Sequence, residues 1–228
     1  MRPQAAVVLA CIMVFGALGF VTARELATGG YRIAEDQPRH ERRSTWWVPV
    51  VMAGLAGYVA WMIGDLAHWA ALPAYLLFTW LSVTLAWIDL DVHRLPYGLV
   101  APALPAMVAL LALASLAAGG RHWLTALLGG LLHGGVFLLL GVLPGGGVGG
   151  GDRRLAPIIG LTLGWLGLPY AVLGLVFGFF IGGVGAGILL IFGRVERRDP
   201  IAFGPAMCAG AFLAVGLTSR IVGLLTTG

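Results

Sequence analysis

Three carboxylates stand where a carboxylate is expensive. Asp89 and Asp91 lie in Trp87-Ile-Asp-Leu-Asp-Val-His-Arg-Leu-Pro-Tyr97, at the end of one apolar stretch. Asp152 closes Pro144-Gly-Gly-Gly-Val-Gly-Gly-Gly-Asp-Arg-Arg-Leu155, at the mouth of another. An acid at membrane depth costs several kcal/mol and is a functional candidate by default. Two carboxylates brought face to face cannot both ionise cheaply, so they share a proton. One then acts as general base on a water while the other protonates a carbonyl oxygen, and the roles exchange. Such a pair hydrolyses a peptide bond with neither a metal nor a nucleophilic side chain. The residues are compatible with that choice, because no span carries an HExxH, a GxSxG or a Cys–His pair. The plainer reading is that Asp89 and Asp152 are helix-end acids facing water and paired with Arg94 and Arg153. His93 completes an Asp-x-Asp-x-His string that suggests a metal, but three such ligands in five residues at a helix end usually solvate separately. No cofactor and no metal are expected.

The glycine run weakens the plainer reading. Gly145, Gly146, Gly147, Gly149, Gly150 and Gly151 make a poor helix. Irregular backbone at membrane depth is tolerated where protein covers it or where it lines a wet cavity. The run lets another backbone approach closely beside Asp152. Its GxGxxG match (Gly145, Gly147, Gly150) carries no weight without a surrounding βαβ unit or a following Lys-Ser/Thr.

The elements that must position these acids follow from composition. Of 228 residues, 59% are hydrophobic and 11% charged, whereas a soluble domain runs near 25% charged. An integral membrane protein is expected, which excludes a soluble enzyme, a disordered regulator and a nucleic-acid binder. Apolar stretches fall at roughly 5–22, 46–64, 67–88, 97–119, 122–143, 154–168, 170–193 and 201–218. Continuous rather than alternating, they predict an all-α polytopic bundle of about eight transmembrane helices, not a β-barrel. One membrane-embedded domain, 1–228, is expected, with a cytoplasmic loop at 23–45. The sixth stretch is short and contains Pro157, so it spans only if its helix starts near Asp152. Trp69 and Trp87 are expected to bracket the third span at the two bilayer faces, about 27 Å apart.

All 14 basic residues are arginine. With the 23–45 loop inside, Arg24, Arg32, Arg39, Arg42, Arg43, Arg94, Arg153, Arg154, Arg194, Arg197 and Arg198 are cytoplasmic, against Arg2, Arg121 and Arg220 outside. That bias sets the orientation and puts Asp89, Asp91 and Asp152 on one, cytoplasmic, face. Both termini are then outside. The first stretch resembles a signal peptide in outline, but its length and the arginines after it favour a retained span.

Most other polar and small residues read as structural. Glu25, Glu35, Asp36, Glu41, Glu196 and Asp199 belong to arginine-rich loops, and Asp65 with His68 to an outer turn. Gly174, Gly178, Gly182 and Ala186 form a small-xxx-small packing stripe. Pro102 and Pro105 are placed to kink the fourth span. His133 reads as a hydrogen-bonded core histidine, Cys11 and Cys208 as small core residues, and Arg153 with Arg154 as headgroup anchors or attractors of acidic substrate groups.

At this point the strings resemble those of a known family, the type IV prepilin leader peptidases of the GxGD class of intramembrane aspartic proteases. Gly149-Gly-Gly-Asp152-Arg-Arg-Leu155 is similar to the family's GxGD followed by x-Lys-Leu. Asp89 with Leu95-Pro96 is similar to its first motif, D-x5-[IL]-P-[ND], and Ile201-Ala-Phe-Gly-Pro205 to its Phe-Gly-Pro element. The resemblance implies that Asp89 and Asp152 are the catalytic dyad. Gly149, Gly151, Arg154, Asp91 and Pro96 would then shape the site or meet substrate. Asp91 is not the expected dyad member. The substrate would be a prepilin or pseudopilin precursor, a short basic leader followed by an apolar helix, cut at the cytoplasmic face of the inner membrane. The other partner is the lipid bilayer, and no nucleic acid is expected.

Three departures stand out. The 23–45 loop carries no Cys, which argues against a zinc site and against the methyltransferase activity of bifunctional members. Tyr97 stands where Asn or Asp is usual, and Arg154 where Lys is usual. Three rival readings remain: a small proton-coupled transporter, a metal-dependent lipid head-group enzyme using Asp89, Asp91 and Asp152, and a non-catalytic membrane assembly factor.

Overall fold

A computed structural model describes residues 3–33, 44–66, 69–143, 149–192 and 203–226. Among them the chain forms eight α-helices: α1 (Pro3–Thr28), α2 (Trp47–Leu66), α3 (Leu72–Val92), α4 (Tyr97–Ala117), α5 (Arg121–Val142), α6 (Gly150–Leu166), α7 (Leu168–Ile191) and α8 (Gly204–Thr226). A 3₁₀ turn, Trp69–Ala71, leads into α3. Six of the helices are long and apolar enough to cross a bilayer, and α8 carries a shorter apolar stretch, Gly204–Thr218. The protein is a polytopic helical membrane bundle. The expected sites in 34–43, 144–148 and 193–202 lie outside the described residues, as does His68.

Burial separates inner helices from outer ones. The span that holds α3 is 67% buried, against 17% for that of α7 and 22% for that of α1. Helix α6 is enclosed too: Leu155, Ala156 and every residue from Ile158 to Trp165 are buried. At 17 residues α6 is the shortest α-helix, and it can be short because α3, α4, α5, α7 and α8 surround it. The sixth helix begins at Gly150, two residues before Asp152, which meets the condition set for that stretch. The first helix outruns its apolar stretch and takes Arg24 and Glu25 into its last turns. Glu25 is therefore helical and exposed rather than in a loop.

Glycine sets the closest approach. A Cβ on Gly129 of α5 would run into the Gly160 carbonyl oxygen of α6, and one on Gly164 into that of Thr125. The stripe on α7 does the same against α8, where a Cβ on Gly210 would collide with the Gly178 nitrogen. Such seams drive association where lipid tails are as apolar as the helices. Several polar side chains inside the bundle bond to backbone carbonyls. Thr79 and Thr162 return their hydroxyls to the carbonyls of Tyr75 and Ile158 at 2.8 Å. Tyr75 Oη donates to the Thr162 carbonyl at 2.6 Å, tying α3 to α6. His133 Nε2 donates to the Ala171 carbonyl at 2.8 Å, as a core histidine. Cys11 and Cys208 are buried and free.

One expectation fails. Trp87 is 2% exposed and packs on Trp47 with ring centroids 5.7 Å apart. It is a core residue, not a belt residue. Belt arguments assume an outward-facing ring, and α3 is too enclosed to offer one here.

Candidate active site

The site is built at one end of the bundle, where α1 and α3 finish and α4, α6 and α8 begin. Helix α3 ends at His93, which adopts the left-handed conformation (φ 51°, ψ 38°) and donates its N–H to the Asp89 carbonyl at 2.9 Å. It is the sole non-glycine residue with positive φ among those described. The chain then extends through Pro96 (φ −61°, ψ 127°), whose carbonyl accepts the Leu99 and Val100 N–H groups that start α4. Proline suits this place because its φ is already set and a helix start needs no N–H from it. The turn leaves Leu95 pointing inward, 6% exposed.

Leu95 joins the two aspartate strings. A Cβ on Gly151 would sit 2.6 Å from Leu95 Cβ, and a Cβ on Gly204 3.5 Å from Leu95 Cδ2. Gly151 is therefore glycine because the Leu-Pro turn lies against it. Gly149 precedes the first turn of α6 and its carbonyl accepts the Arg153 N–H at 3.3 Å. A Cβ there would stand 3.3 Å from Asp152 Oδ2, so this backbone lies against the carboxylate.

The carboxylates of Asp89 and Asp152 line one cavity of about 100 Å³, with His93, Arg94, Leu95 and Gly149, Gly150 and Gly151 completing its wall. Both acids are buried. A water molecule takes up about 30 Å³, so there is room for a water and part of a substrate. Helix α8 contributes as well: the Gly204 N–H donates to Asp89 Oδ2 at 3.1 Å, and its helix N-terminus favours negative charge there. Gly204 was not among the candidate residues, although the Phe-Gly-Pro string contained it. Its partner lies 115 residues away in sequence, and no local pattern reports that.

Asp91 points elsewhere. It is fully buried, and its Oδ2 accepts from Tyr31 Oη at 2.6 Å and from Arg32 Nε at 2.9 Å. Burial first, then the hydrogen bond to Asp91, pushes the Tyr31 phenol up, so it stays a donor. Arg94 donates to the Tyr31 carbonyl at 3.3 Å. The second acid thus fastens the end of α1 to the end of α3, and the Asp-x-Asp-x-His string splits between two jobs. Among the described residues no three His, Cys, Asp or Glu side chains gather as a metal ligand set.

The two departures from the expected strings meet each other. Arg154 lies over the Tyr97 ring, 4.8 Å from its centroid, and both are exposed. Arg153 instead runs along α5, so close to Gly141 that a Cβ there would be 2.5 Å from Arg153 Cδ.

Two buried acids on separate inner helices, lining one small cavity at one end of a membrane bundle, define a membrane protein with an embedded carboxylate site. Comparison with known proteins gives the family. The model of the type IV leader peptidase family matches residues 76–215, and the chain belongs to that family. The prepilin leader peptidase/N-methyltransferase of Stutzerimonas stutzeri is 32% identical over 162 residues, covering 71% of this chain and 54% of that protein. The protein of that name from Pseudomonas aeruginosa is 32% identical over 169 residues (74% and 56%). That from Bacillus subtilis is 38% identical over 95 residues (40% and 36%). The chain spans about half the length of the curated relatives it matches. No solved structure gives a significant match.

Proposed function

We propose that the chain, as one membrane-embedded domain, is an intramembrane aspartic endopeptidase that removes the leader from type IV prepilin-like precursors. The observation that carries this is the shared cavity of Asp89 and Asp152, joined to membership of the leader peptidase family. A water between the carboxylates loses a proton to the ionised one, and its oxygen attacks the scissile carbonyl carbon. The protonated partner gives its proton to the carbonyl oxygen, forming a neutral gem-diol. Collapse returns one hydroxyl proton to a carboxylate and delivers the other carboxylate's proton to the leaving amide nitrogen. The pair ends with one proton, as it began. The Gly204 N–H holds Asp89 without taking part in transfer.

The arginine distribution supports a cytoplasmic position for this end of the bundle. The proposal is limited to the peptidase half of the relatives' names, since the family model that matches is that of the leader peptidases. It is tested by co-expressing a prepilin-like precursor with the wild type, Asp89→Asn or Asp152→Asn, and following the leader on gels. Both variants are expected to leave the precursor uncut while reaching the membrane at wild-type levels. Full processing by either one removes the dyad.

A further inference from the structure

Helix α3 presents two stripes on nearly opposite faces. At 3.6 residues per turn, Ser82, Ala86 and Asp89 lie on one line and Trp80, Thr84, Ile88 and Asp91 on the other. Each stripe borders its own apolar cleft. The first faces a groove of about 600 Å³ between α2, α3 and α8. The second faces a cleft of about 570 Å³ between α1, α3 and α4. Only the first leads, in register, to an acid of the cavity.

Helix α8 repeats the pattern. Pro205, Cys208, Ala209, Phe212 and Leu213 line the same groove, and Pro205 follows the Gly204 that donates to Asp89. The lining of the groove therefore begins one residue past Gly204 and continues for about 12 Å along α8, away from the carboxylates. At its far end Tyr58 Oη donates to the Phe212 carbonyl at 2.9 Å, and this contact joins α2 to α8. Thr79 and Thr84 of α3 bond the carbonyl four residues back, whereas Ser82 Oγ, 2% exposed, lies beside the Cys208 thiol of α8 on the groove wall.

We infer that the α2–α3–α8 groove seats the apolar helix of the precursor, with its leader-proximal end delivered to Asp89. This rests on the proposed peptidase function. An acyl chain would fill the same volume, but it would not require the register with Asp89.

The test uses the full chain in vesicles with an intact precursor. A photoreactive benzophenone side chain is placed at Leu213 in the groove, at Val21 in the second cleft, or at Leu113 on the outside of α4. A precursor adduct is expected from position 213 and not from 21 or 113. In parallel, Ala209→Trp, at an exposed groove position, is expected to lower cleavage at least tenfold, chiefly by raising KM, while Val21→Trp leaves it unchanged. Adducts from 213 to lipid alone, equal precursor adducts from 21, or wild-type cleavage by Ala209→Trp would overturn the groove. Adduct formation needs no turnover, so the two readings fail separately. An adduct at 213 with an uncut precursor sinks the peptidase and keeps the groove, whereas a cut precursor with no adduct at 213 does the reverse.

Discussion

Adding one methyl group at two neighbouring glycines should give opposite results. At Gly151 the new Cβ would lie 2.6 Å from Leu95 Cβ, 3.0 Å from its Cγ and 3.2 Å from its Cδ1. No rotamer change relieves the first of these, because the Leu95 Cβ is fixed by its backbone and Pro96 stiffens the residue that follows. Ordinary carbon contacts begin near 3.5 Å, so the turn and the start of α6 must part by about 1 Å. Overpacking of this kind costs about 1–3 kcal/mol, and a misplacement of about 1 Å at a reacting site costs roughly 100-fold in rate. At Gly150 the added Cβ would meet only Arg153 Nη2, at 3.7 Å. Gly150→Ala should therefore keep activity within about threefold and add a few tenths of a kcal/mol through reduced chain entropy. Initial rates of precursor cleavage and thermal unfolding in detergent measure both effects. Leu95→Gly should restore part of the Gly151→Ala loss, and Leu95→Ala much less, since only the former removes the clashing atom. Equal activity of Gly151→Ala and Gly150→Ala, whether both intact or both lost, would refute the contact.

Asp91→Ala should lower the melting temperature by removing the acceptor of Tyr31 and Arg32, a loss of about 1–3 kcal/mol; the folded fraction should keep cleaving, and a dead but stable variant would put Asp91 in the chemistry. Gly204→Ala brings a methyl to 3.0 Å from Asp89 Oδ2, so cleavage should fall about tenfold with little change in unfolding; an unaltered rate would mean that this approach does not matter. For Arg154 and Tyr97, a double-mutant cycle on unfolding should give a coupling of about 0.5–1 kcal/mol, with Tyr97→Phe retaining it. Additive effects of Arg154→Ala and Tyr97→Ala would sink that pairing.

Much of the bundle was legible because apolar runs report spans directly. The short sixth stretch could be placed because its glycine run and Asp152 mark a helix start, and α6 begins there. The membrane face shared by Asp89 and Asp152 followed from arginine placement, and the two acids do meet in one cavity. What escaped were pairings between distant strings. Arg32 lies 59 residues from Asp91, and in sequence it was one of several loop arginines. Trp87 read as a belt residue because hydropathy cannot tell an enclosed span from a lipid-facing one. The contact between Arg154 and Tyr97 was invisible for a similar reason: each was a separate oddity until α4 and α6 started side by side.

The hydrogen bond from Tyr75 to the Thr162 carbonyl has a mechanical consequence. It pins two rods together well away from the acids they carry. Asp89 stands fourteen residues beyond Tyr75, a lever arm of about 21 Å. A rod pinned at one point can swing, and a tilt of about 3° about that pin would carry Asp89 through about 1 Å. The wedge of Leu95 against Gly151, just past the tip of the lever, is a second point of attachment. Two attachments fix an angle where one fixes only a distance, so the spacing of the acids is held by the frame itself.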